Sequence, residues 1–80
     1  MKFEIEYKTI DRVSGPLIVV KKVKSAAYGE IVSIKLENGE TRLGQVLESG
    51  EGFAVVQVFG PTSGINVKTT SVTFLGEMFR

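Results

Sequence analysis

Residues 28–59 read YGEIVSIKLENGETRLGQVLESGEGFAVVQVF, and this stretch restricts the fold more than any other part of the chain. Three apolar-rich runs are separated by Asn38-Gly39 and by Ser49-Gly50-Glu51-Gly52. No segment of the 80 residues shows sustained helical periodicity. Strand, tight turn, strand, turn, strand is the simplest reading.

The first turn sets the facing of the side chains. Val32, Ile34 and Leu36 share one face of the leading strand, with Ser33, Lys35 and Glu37 on the other. Asn-Gly is a strong hairpin signal because both residues tolerate positive φ. A two-residue loop sets Ile34 against Leu43 and Leu36 against Thr41. It also sets Glu37 against Glu40 and Lys35 against Arg42, two like-charge pairs that are unfavourable across a ladder. A four-residue loop over 37–40 keeps the same facing and frees the two glutamates. A three-residue loop would set Ile34 against Arg42, and this reading excludes it.

A second loop over 49–52 then sets Leu47 against Ala54, Gln45 against Val56 and Leu43 against Val58. The opposite, outer face carries Ile31, Val46, Val55 and Phe59, and is less polar than a solitary barrel needs. Gly44 inside a strand signals a bulge or a close backbone approach.

The flanks supply further strands. Phe3, Ile5 and Tyr7 alternate with Glu4, Glu6 and Lys8, the period of a strand with one wet face, and Thr9, Ile10 and Val13 are candidates to extend this run across Asp11-Arg12. Ser14-Gly15-Pro16 marks a bend or bulge, since Pro16 cannot donate to a ladder. Leu17-Ile18-Val19-Val20 reads as a strand apolar on both faces. Lys21 to Ala27, KKVKSAA, reads as a solvated connection, because its lysines have no interleaved aromatics. Gly60-Pro61-Thr62-Ser63-Gly64 is a loop, with Ile65 and Val67 as candidates to tuck inward beside it. A last run, Val72-Thr73-Phe74-Leu75, ends at Gly76.

Composition excludes several chemistries. With no Cys and no His, the chain has no thiolate or imidazole nucleophile or base, no disulfide and no ordinary zinc site. No Ser-x-x-Lys or P-loop spacing is present. Its acidic residues fall in turns or at alternating strand positions, so neither catalytic nor cofactor-binding nor metal-ligating residues are expected in these 80 residues. No apolar run approaches the roughly 20 residues of a membrane-spanning helix, and a cytoplasmic setting is the default. The formal net charge of +1 argues against a dedicated nucleic-acid binder. The alternative reading is nonetheless a small oligonucleotide-binding barrel, with Tyr28, Phe53 and Phe59 as stacking platforms beside Lys35 and Arg42.

Laid out in order, the blocks resemble the N-terminal domain of the B subunit of archaeal-type and vacuolar-type rotary ATPases. The resemblance runs through Tyr7-Lys8-Thr9-Ile10, Ser14-Gly15-Pro16-Leu17 and Tyr28-Gly29-Glu30-Ile31-Val32. It continues through Asn38-Gly39-Glu40-Thr41-Arg42, Gly44-Gln45-Val46-Leu47-Glu48 and Val55-Val56-Gln57-Val58-Phe59, then Thr62-Ser63-Gly64-Ile65 and Val72-Thr73-Phe74-Leu75-Gly76-Glu77. After the Val-Phe pair the family usually has an acidic residue and Gly, where this chain has Gly60-Pro61.

The resemblance implies an all-β fold, a small closed six-stranded Greek-key-like barrel over 1–76, with 77–80 the start of a linker to a further domain. It implies a structural, noncatalytic crown domain of the B subunit of an ATP synthase or ion-translocating ATPase, stabilising a hexameric ring of A and B subunits. ATP, ADP and Mg would be bound by later domains of that complex, which is peripheral to the membrane and extramembrane at this point. On this reading Ile31, Val46, Val55 and Phe59 contact neighbouring barrels, and no nucleic acid is bound.

Overall fold

A computed structural model describes residues 5–78, with side chains through residue 76. Phe3 and Glu4, used above, lie outside the described residues, as do residues 79–80 of the expected linker. The strands are β1 (Ile5–Tyr7), β2 (Ile10–Ser14), β3 (Leu17–Val23), β4 (Glu30–Lys35), β5 (Thr41–Gly50), β6 (Gly52–Phe59) and β7 (Ser71–Met78). They form one sheet, β1-β7-β4-β5-β6-β3-β2, in which every neighbouring pair is antiparallel.

The two edge strands, β1 and β2, are separated in the chain only by Lys8 and Thr9. The three peptide steps from Tyr7 to Ile10 span at most about 11 Å. The edges therefore meet at that point and the sheet curls into a barrel. Thr9 holds the seam: its carbonyl accepts from Lys21 N at 2.8 Å, and its hydroxyl donates to the Lys21 carbonyl. The expected all-β barrel is the observed architecture. It has seven strands instead of six because the first run divides, Tyr7 pairing with Val72 of β7 and Ile10 with Val20 of β3.

Three connections are hairpins, and two, 24–29 and 60–70, cross opposite ends of the barrel in the Greek-key manner. Gly15-Pro16 is a two-residue turn between Ser14 and Leu17. Gly15 has φ 56° at the first central position, where a type II′ turn calls for glycine.

The β4–β5 hairpin corrects the sequence reading. Ile34 stands opposite Arg42 and Lys35 opposite Thr41, which is the register of the excluded three-residue loop, 37–39. Leu36 O accepts from Gly39 N at 3.0 Å, Leu36 N donates to Glu40 O at 2.8 Å, and Gly39 takes φ 91°. That is a turn closed by a left-handed glycine, the usual three-residue hairpin. The shift relieves both like-charge pairs. Arg42 is tolerated on the inner side because it lies at the barrel end, half-buried, with its Nε donating to Pro61 O at 3.1 Å. Its aliphatic stem covers apolar surface while the guanidinium reaches polar partners.

A one-residue slip exchanges the faces of a whole strand. On β5 the inward residues are Gly44 and Val46, while Leu43 and Leu47 are exposed. The second turn is also shorter than expected: Gly50 pairs with Phe53 around Glu51-Gly52, and a bulge at Leu47 separates the Val46–Val56 and Glu48–Val55 pairs. The inner faces of β4 (Val32, Ile34) and β6 (Ala54, Val56, Val58) are as expected from the sequence.

Ile18, Val20, Val32, Ile34, Val46, Val56, Val72 and Phe74 fill the barrel. Each such side chain contributes about 1.5–3 kcal/mol by leaving water. Tyr7 packs edge-on against Phe74 at 5.3 Å between ring centres. Gly44 supplies the close approach foreseen for it: a Cβ there would lie 2.7 Å from Gln57 O and 2.9 Å from Val56 Cγ1.

The ends of two strands also differ from the sequence reading. β3 continues through Lys21 and Lys22 to Val23, so the lysine run begins inside the strand. Lys22 sits at a bulge with φ 60°, and Val23 is buried. Gly76 lies within β7, which runs on to Met78. Of the two candidates beside loop 60–70, Ile65 packs against the core and Val67 is exposed.

Candidate interaction surface

Strand alternation turns Leu17 and Val19 of β3, Leu43 and Gln45 of β5, and Val55, Gln57 and Phe59 of β6 outward. The register lays them side by side. Leu43 is opposite Phe59, Gln45 is opposite Gln57, Gln57 is opposite Leu17, and Val55 is opposite Val19. No charged side chain interrupts these pairs, although 24% of the chain is charged. Charge returns only at the borders, where Arg12 is opposite Val19 and Glu48 is opposite Val55. An uncharged centre with a charged rim is the anatomy of a protein–protein contact.

The four residues singled out from the sequence separate here. Phe59, 40% exposed, and half-buried Val55 lie on this surface. Val46, 0% exposed, is part of the core cluster and faces inward. Ile31 is buried apart from that cluster and offers almost no surface. The β4–β5 register turns Val46 inward, whereas Ile31, opposite outward-facing Gln45, keeps its expected side and is covered there. Leu43, 46% exposed, takes the place that the shifted pairing had given to Val46. The like-charge pairs Glu37/Glu40 and Lys35/Arg42 were the sequence signal that identifies the true pairing.

The hairpin tip is held by polar contacts. Asn38 Oδ1 accepts from Glu40 N at 2.9 Å, and Asn38 Nδ2 donates to Glu40 Oε1 at 3.1 Å. Arg42 lies 3.5 Å from the same carboxylate oxygen. The Asn38 hydrogen bond first, and the Arg42 charge second, hold the Glu40 carboxyl below its ordinary range. A shallow open hollow lies between this tip and Ser63, Gly64 and Asn66. No group of three potential metal ligands gathers among the described residues.

The aromatic and basic residues of the nucleic-acid reading are divided between the two ends of the barrel, with Lys35, Arg42 and Phe59 at one and Tyr28 and Phe53 at the other. Tyr28 precedes β4 at one end of the barrel, and Lys35 ends that strand at the other, seven residues along. At about 3.3 Å per residue, β4 alone separates the two ends by about 16 Å. Arg42 is half-buried on the inner side of its strand, and Phe53 is half-buried against Gly50. No helix among the described residues is long and apolar enough to cross a membrane.

A protein-family model described as the ATP synthase alpha/beta family, beta-barrel domain, matches residues 10–76, from the start of β2 to the bulge of β7.

Proposed function

Because the chain belongs to the ATP synthase alpha/beta family, through its β-barrel domain, we propose that it is the crown barrel of the B subunit of an archaeal- or vacuolar-type rotary ATPase. Barrel domains of this family are noncatalytic and suit a structural role in the ring. On this reading the barrel holds neighbouring A and B subunits together while nucleotide-binding domains elsewhere in the complex change shape. Residues 1–76 are the barrel unit, and the chain beyond them leads toward those domains. The barrel sits on the cytoplasmic side, away from the bilayer. Choice of the B subunit rests on the tyrosine-led start and the Gly15-Pro16-Leu17 segment.

The uncharged outer face of β3, β5 and β6 carries the proposal. Leu43 and Phe59 pair directly across β5 and β6, and Gln45 and Gln57 give the contact hydrogen-bonding groups without charge. Val55 and Phe59 keep the role expected of them. Val46 supports the face from within, and Ile31, buried beside Gln45, offers no contact surface.

Phe59→Glu in the full-length subunit tests the reading. The subunit should fold, yet native mass spectrometry should show ring assembly weakened by about tenfold or more, the cost of charging an interface centre. Wild-type ring assembly by that variant would refute the proposed contact.

A further inference from the structure

Where β7 leaves the barrel, its pairing with β4 is disturbed. Val32 is opposite Phe74 and Glu30 is opposite Met78, so Leu75, Gly76 and Glu77 together face Ile31 alone. Such a bulge bends its strand and withdraws backbone groups from the ladder. Gly76, at φ 73°, is one of them, and its N–H turns to a side-chain acceptor instead.

Glu30 provides it. Its side chain is nearly enclosed at 9% exposure, and its Oε2 accepts from Gly76 N at 2.9 Å. The other oxygen, Oε1, accepts from Ala27 N at 3.0 Å, and Glu30 N donates to Ala27 O at 3.0 Å. One carboxylate thus joins two segments that are distant in the chain, the crossing loop 24–29 and the exit of β7. Loop 24–29 is fixed at further points, one of them Lys24 N donating to the Tyr7 hydroxyl oxygen at 3.2 Å. Gly29 N donates to Val46 O at 2.8 Å, Gln45 Nε2 to Gly29 O at 3.2 Å, and Ser49 Oγ to Ala26 O at 3.0 Å. Tyr28, 74% exposed, is held out from this loop.

We propose that Glu30 is a latch: its carboxylate locks loop 24–29 to the bulge of β7, so that the crossing loop and the exit of β7 act as one unit. Hydrogen bonds to a carboxylate are roughly twice as strong as neutral ones, and two of them divided between two segments make those segments move together. In a ring subunit that coupling keeps the barrel rigid at the end where β7 leaves it. That use rests on the ring reading, whereas the latch itself rests on the bonds alone.

The test is amide exchange in the 15N-labelled chain. Gln at position 30 has a single acceptor oxygen, so Glu30→Gln can serve only one of the two amides. Gly76 or Ala27 should then exchange at least about tenfold faster, while core Val56 keeps its protection. Tyr28→Ala, which removes only the exposed ring, should leave both amides unchanged. In the unsubstituted chain, a hydrogen-bond scalar coupling should link Gly76 N to the Glu30 carboxylate carbon, a readout independent of how any variant folds. Absence of that coupling, or unchanged protection of both amides in Glu30→Gln, would overturn the latch. Failure of ring assembly in Phe59 variants bears on the ring reading and leaves this result untouched.

Discussion

β5 and β6 carry two rows of residues, both uncharged, that differ in environment. The inner row, Val46 with Val56 and Gly44 with Val58, is closed off from water. The outer row, Leu43 with Phe59 and Gln45 with Gln57, lies on the surface. An apolar residue in either row would look equally suited to a core. Hydrophobicity therefore does not decide which row is buried; the three-residue loop at 37–39 does.

Charge substitution separates the rows most sharply. Val46→Asp should abolish cooperative folding, because an unpaired buried carboxylate costs several kcal/mol and a domain of this size has only about 5–10 kcal/mol in total. Leu43→Asp should shift stability by no more than about 0.5 kcal/mol. Thermal melts followed by circular dichroism compare the two, and equal effects would break the distinction.

A single methyl group probes the inner row more finely. Gly44→Ala pushes a Cβ against Gln57 O and Val56 Cγ1, and should cost about 1–3 kcal/mol in a urea unfolding series. No gain of an adjacent contact compensates for this, since the obstacle includes backbone.

The smallest effect is at the turn that fixes the rows. Glu40 is held ionised chiefly by Asn38, so its folded value lies below that of the unfolded chain. A lowered carboxyl contributes stability that is present above the unfolded value and is lost as pH falls through the folded one. Asn38→Ala should raise the Glu40 titration toward its ordinary range, read by NMR of the side-chain carboxyl. Stability above that range should change little, the group being fully exposed.

Much of the fold was legible because alternation and turn chemistry are local. The inner faces of β4 and β6, the hairpin at Asn38-Gly39, the crossing loop at Gly60 and the crowding at Gly44 all follow from residues near one another in the chain. The facing of β5 did not follow, because an apolar side chain opposite Arg42 looked unacceptable. That judgement left out the barrel end, where Pro61 O comes from a distant loop to accept from the guanidinium. The division of the first run at Lys8-Thr9 depends likewise on two strands that lie far away in sequence. At the outer surface, Val55 and Phe59 were visible from the pattern. Leu43 was hidden by the same register shift that had placed Val46 outside. Glu30 gave no local sign of its role, which depends on a bulge 46 residues away.

Thiol labelling tests the two faces and the ring contact together; these 80 residues contain no cysteine, and any elsewhere in the subunit would first be replaced by serine. Leu43→Cys and Val46→Cys would each be introduced singly into the full-length subunit and reacted with a maleimide before and after ring assembly. The account predicts rapid labelling of Leu43→Cys in the free subunit, protection by at least about tenfold in the ring, and slow labelling of Val46→Cys in both states. Rapid labelling at position 46, or a rate at position 43 that assembly leaves unchanged, would contradict it.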